Sequence, residues 1–256
     1  MNYKKAASIL LHGVWGALRI VSGVVVVALA SYFVLTVVIS KPWETVERVP
    51  VDPKVCGRMS GVVYEFLRGY VVYWPEYEGK SSWEVGFIEN KKGCNANFVS
   101  LYMAMSLPEL NAVSFHEATS LDFTGAKVGI EPWSHGEVGL RRKLDNYLKN
   151  TPENIIAQKV YDKNIGMNFV EGVDRYSRGG KQDFFWVEED GHMRYVAYCV
   201  KGYWGQDSFC ELKYLLPGAD ILVSLKILRG RLSEWRNIVA LVNGFLLSAE
   251  KKEGIK

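Results

Sequence analysis

Apolar positions run without a single charge from 20 to 40, IVSGVVVVALASYFVLTVVIS, and no other stretch of the chain sustains that pattern. A helix of that length crosses a hydrocarbon core of ~30 Å, so the segment predicts a transmembrane anchor. Residues 42–54, PWETVERVPVDPK, mix charges with prolines and predict a short extended tether. Beyond it the apolar residues come in short runs rich in β-branched and aromatic types, which predicts strands. Runs at 62–77 and 83–88 read as strands; 98–107, FVSLYMAMSL, fits either helix or strand; 110–130 reads as short strands and bends. Leu140, Leu144 and Leu148 recur at helical spacing and predict a helix over 137–149. Thr151-Pro152-Glu153 carries the chemistry of a second helix start, leading into 154–160. Two hairpins follow: 182–187 with 192–200 around Asp190-Gly191, and 210–216 with 219–227 around Pro217-Gly218. A last helix, 232–248, has a broad apolar face and Ser233 as its cap.

The fold class predicted is α+β: an N-terminal transmembrane helix followed by a mainly antiparallel β-sheet domain with a few packed helices. The divisions are a head at 1–19, the anchor at 20–40, a linker at 41–54, a domain at 55–249 with room for two subdomains, and a flexible tail at 250–256.

Charge sets the orientation. Lys4, Lys5 and Arg19 are the charged residues of the first forty, so the formal net charge of +3 sits wholly in the head. That asymmetry predicts a single-pass protein of a bacterial inner membrane, with a cytoplasmic N-terminus and a periplasmic C-terminal domain. Ala28-Leu29-Ala30 resembles a signal-peptidase site, but the apolar run continues well past it, which favours a retained anchor. The formally neutral remainder argues against nucleic acid as a partner. Inner-membrane lipid, met through the anchor, is the lipid partner expected.

All four cysteines, Cys56, Cys94, Cys199 and Cys210, follow the anchor, as two disulfides in an exported domain would require. Three connectivities are open; the short interval between Cys199 and Cys210 favours joining that pair, with Cys56 to Cys94. No spacing has the C-x₂₋₄-C form of a zinc site, so no metal or other cofactor is expected. Catalytic patterns are also missing. Ser134-His135 has no nucleophile-elbow context, His116 and Glu117 lack an identifiable third partner, and Gly179-Gly180-Lys181 is not a phosphate loop.

Aromatic residues are more suggestive. Tyr70, Tyr73, Trp74 and Tyr77 cluster early. Tyr203 and Trp204 lie between two cysteines, where exposed aromatic groups serve as interface anchors. With the acidic turn Glu188-Glu189-Asp190, they are the contact residues expected for a protein partner.

The order of anchor, exported domain and cysteine-containing β region, running from YVAYCV through FCEL into ILVSLKILRGRLSEWRNIVALVNGFL, resembles anchored immunity proteins of the bacterial type VI secretion system. Those that neutralise periplasmic phospholipase effectors are the nearest in arrangement. The resemblance implies a noncatalytic protein that binds and occludes a cognate toxic, lipase-like effector. It transfers no contact residue position by position. The same features fit a structural or scaffolding subunit of a cell-envelope complex and, more distantly, an envelope hydrolase.

Overall fold

Ser60 and Gly61 both take positive φ, 49° and 86°, and turn β1 (Lys54–Met59) back onto β2 (Val62–Leu67) as an antiparallel hairpin. The structure is a computed structural model that describes residues 29, 32, 53–120, 122–173, 181–200 and 208–251. The head, the tether to residue 52 and the span at 20–40 lie outside the described residues, apart from Leu29 and Tyr32, which are helical and exposed. Among the described residues no helix is long and apolar enough to cross a membrane. Residues 52–256 form one compact unit.

Nine strands make the main sheet: β3 (Glu76–Tyr77), β4 (Phe98–Met105), β5 (Ala126–Pro132), β6 (Val160–Asp162), β7 (Met167–Val173), β8 (Lys181–Glu189), β9 (His192–Val200), β10 (Phe209–Leu215) and β11 (Ile221–Leu228). Their order is β3-β4-β5-β11-β10-β9-β8-β7-β6, and every neighbouring pair is antiparallel. Asp190 and Gly191 carry positive φ at the β8–β9 turn, and Pro217-Gly218 reverses the chain between β10 and β11. The fold class is thus α+β, with a large antiparallel sheet and a few packed helices.

Alternation along the strands sorts side chains onto two faces. Cys210, Leu212 and Tyr214 of β10 join Val223, Leu225 and Ile227 of β11 in the larger core. Helix α4 (Trp235–Ser248) covers that face with Trp235, Ile238, Val239, Val242 and Leu246. On the other face α2 (Gly136–Leu148) lays Leu140, Leu144 and Leu148 against Phe184, Trp186, Met193 and Val196. A short helix, α1 (Phe115–Thr119), buries Ala118 against Ala104 on β4.

Several local expectations are corrected. The run at 83–88 is not a strand: Trp83, Val85 and Ile88 are exposed, and Gly86 has φ +89°. Polar turn bonds win there, with the Ser81 amide donating to the Glu84 carboxylate at 2.7 Å and the Ser82 amide to Glu76. Helix α3 (Glu153–Ile156) is one turn long and has no side-chain cap. Thr151 is buried, and its hydroxyl accepts the Val173 amide at 3.1 Å instead. Ser233 does not cap α4 either, because a 3₁₀ segment, Arg229–Glu234, leads into it. Glu250 and Lys251 are tied down: the Lys251 amide donates to the Val63 carbonyl at 2.8 Å, and Tyr64 donates to Glu250 at 3.2 Å. Burial, with Glu250 second, pushes the Tyr64 hydroxyl up to about 12.

Candidate functional site

The acidic turn is held by cations of the same domain. Glu188 pairs with Arg141 of α2 at 2.5 Å, and Glu189 lies 3.8 Å from Arg194. Arg194 also donates to Glu137 at 2.6 Å, and His192 Nδ1 lies 2.5 Å from the second Glu137 oxygen. All these groups are partly exposed, so each pair contributes about 0–1 kcal/mol. Together they pin the β8–β9 turn to the first two turns of α2 and spend most of its negative charge internally. Asp190 stands exposed at the tip.

Beside this turn runs a groove of about 840 Å³. Glu189, Arg194 and Tyr195 line one side, and the turn after β10 with Trp235, Arg236 and Asn243 of α4 lines the other. Trp235 forms the floor. Its indole N–H donates to the Ile165 carbonyl at 2.8 Å, and its ring meets Tyr195 edge-on at 4.6 Å. Burial first, and Glu189 second, raises the Tyr195 hydroxyl above the ordinary tyrosine range. The apolar face predicted for the last helix places Trp235 correctly in the core. It gave no sign that the same ring, with Arg236 stacked 4.5 Å over it, also floors a groove.

Strand β9 separates the two predicted contact elements. The acidic turn precedes its first residue, and the segment holding Tyr203 and Trp204, which lies outside the described residues, follows its last. Nine extended residues put these ends about 30 Å apart. The two predicted elements therefore adjoin opposite ends of β9 and do not share one loop tip.

At the far end Cys199 and Cys210 face one another across β9 and β10 and are joined. Asp183 lies opposite Cys199 on β8, almost wholly buried, and pairs with Arg229 beyond β11. The second bridge joins Cys56 of β1 to Cys94. Glu65 sits close enough to these two sulfurs to complete a three-ligand cluster. The sulfurs are bonded to each other, however, and Lys54 and Lys251 occupy the Glu65 carboxylate at 2.6 and 2.9 Å, so the set does not fit a metal ion. Those two hydrogen bonds hold the Glu65 carboxyl below its ordinary range.

The early aromatic cluster divides. Tyr77 is buried and donates to the Cys56 carbonyl at 2.8 Å, while Tyr70 packs on Phe245. Tyr73 and Trp74 face solvent. His116 and Glu117 are exposed on α1, and His192 serves the Glu137 pair. Among the described residues no histidine is hydrogen-bonded to a serine or cysteine nucleophile.

No family model matches the sequence, and no curated protein matches it. The fold is similar to that of Smlt3025, an immunity protein of the Stenotrophomonas maltophilia type IV secretion system. The TM-score is 0.54 at 13% identity, over 78% of this chain and 94% of that one. At that identity the likeness is one of fold.

Proposed function

We propose that the chain is a noncatalytic immunity protein that binds and occludes a toxic effector in the periplasm. The observation that carries this reading is the similarity of its fold to an immunity protein along nearly that protein's whole length. Disulfides in the domain and the lack of an assembled nucleophile and base among the described residues are consistent with it. Permanent anchoring through 20–40 with the domain outside the inner membrane is part of the proposal, supported by the apolar run and the basic head. A type VI origin and a phospholipase target rest on the sequence resemblance alone; the similar structure belongs to a type IV system.

The contacts proposed are Tyr203 and Trp204 at one end of β9, with Glu188, Glu189 and Asp190 at the other. The acidic turn is the weaker of the two, since Arg141 and Arg194 already hold its first two carboxylates. The test uses the full chain in detergent and the product of a toxin gene adjacent to its own. Capture of that product, inhibition of its lipase activity and protection of cells are expected. Trp204→Ala should weaken capture about 30-fold, the loss typical of an interface anchor. Equal survival with and without the chain, together with no capture, would overturn the immunity reading and favour an envelope scaffold. Protease added to spheroplasts should digest the domain and spare the head; a protected domain would reject the topology.

A further inference from the structure

Between α1 and α2 the sheet face is bare among the described residues. Here β5, β11 and β10 present Lys127, Lys226, Ser224 and Glu211 to a pocket of about 200 Å³. Lys127 and Lys226 are directly opposite one another in the β5–β11 register. Like charges in that position destabilise a sheet. Neither has a carboxylate within ion-pair distance among the described residues. Glu211 stands directly opposite Lys226 on β10 and attracts it, but its carboxylate is shared with Lys213 at 2.5 Å and the Tyr198 hydroxyl at 2.6 Å.

What surrounds the two amines is aromatic. Lys226 Nζ lies 3.5 Å from the centroid of Phe209, and Lys127 lies 5.7 Å from that of Phe123. Tyr102 rests on the bare backbone of Gly129, where a Cβ would come within 2.9 Å of its ring. Tyr73 stands edge-on to Tyr102 at 6.0 Å. Burial lowers both lysines below the ordinary ammonium range; for Lys226 the Lys127 charge adds to this and the Glu211 carboxylate opposes it. Among the residues that line the pocket two lysines face one carboxylate, and Glu211 is shared with Lys213 as well, so the pocket keeps an excess of positive charge. A bound anion would remove it.

We propose that this pocket seats an acidic side chain of the effector, its carboxylate bridging Lys127 and Lys226 and its backbone resting against Tyr73 and Tyr102. The exposed aromatic rim is what a protein partner uses and a free ion does not need. The Lys226 end of β11 is also the end from which residues 201–207 leave β9 and return to Phe209. The inference rests on the immunity reading.

The test compares the full chain in detergent with Lys127→Met, Lys226→Met and Lys127→Glu. Binding of a labelled hexaglutamate peptide is followed by anisotropy at low salt, with inorganic phosphate as competitor, alongside Tm and capture of the effector. Each variant should melt about 2 °C higher, through relief of the repulsion, and should bind the peptide at least tenfold more weakly. Lys127→Glu should lose effector capture. Lower Tm with unchanged peptide binding would make the lysines structural and overturn the site. Displacement by equimolar phosphate would overturn the carboxylate assignment. Peptide binding that depends on both lysines, without effector capture by the wild type, would uphold the pocket and sink the immunity reading. Capture undiminished in Lys127→Glu would do the reverse.

Discussion

Trp235→Ala is expected to destabilise the domain by about 3–5 kcal/mol, the usual cost of emptying a buried tryptophan site. For a chain of this size that lowers Tm by about 10 °C. The ring is 2% exposed and packs against Tyr195, so its neighbours cannot close the gap without moving α4. The loss has a polar part too. The indole N–H answers the Ile165 carbonyl at 2.8 Å, and that segment joins β6 to β7 at the sheet edge. Trp235→Phe separates the two contributions: it keeps most of the ring volume and should cost about 1–2 kcal/mol for the missing bond. Differential scanning fluorimetry of both variants decides. A loss under 1 kcal/mol for alanine would mean that the groove floor is not part of the packed core.

The same residue shows what the sequence could and could not reveal. The amphipathic pattern from Trp235 to Leu246 identified a docked helix, and the dipeptides Asp190-Gly191 and Pro217-Gly218 identified two hairpins. Those signals are local. The 83–88 run failed because WEVGFI has strand-like composition but no partner strand; the carboxylates of Glu76 and Glu84 instead bind the backbone of the turn. Thr151 failed as a cap because a strand 22 residues away claimed its hydroxyl. The candidate site was harder still. Lys127 and Lys226 are almost one hundred residues apart, and each looks like an ordinary polar position on an alternating strand. Only the β5–β11 register puts them face to face. Glu188 and Glu189 are the opposite case: their acidic cluster is plain in sequence, while the pairing with Arg141 and Arg194 comes from elsewhere in the fold.

Two separate apolar layers imply that one can fail before the other. Leu140→Asp should undock α2 while leaving the α4 face folded. Leu140 is fully buried among apolar side chains of β8 and β9, so an aspartate there gives up its hydration, at a cost of several kcal/mol. In that variant undocking exposes chiefly Leu144 and Leu148 of the helix, about 1.5–3 kcal/mol each. The two costs are of similar size, and release lets the new carboxylate reach water. A thirteen-residue helix detached from its sheet is marginal and should unwind. Amide exchange over Gly136–Leu148 should then accelerate by orders of magnitude, while α4 and β11 keep their protection. Leu140→Met, which preserves volume, should cost less than about 1.5 kcal/mol and leave exchange unchanged. Loss of protection spread evenly into α4 would mean that the two layers unfold as one unit. Undocking also removes the Glu137 and Arg141 pairs that steady the acidic turn, and the helix wall beside the groove. If the undocked variant still neutralises the effector, the contact surface lies at the Tyr203 and Trp204 end of β9 and not at the acidic turn.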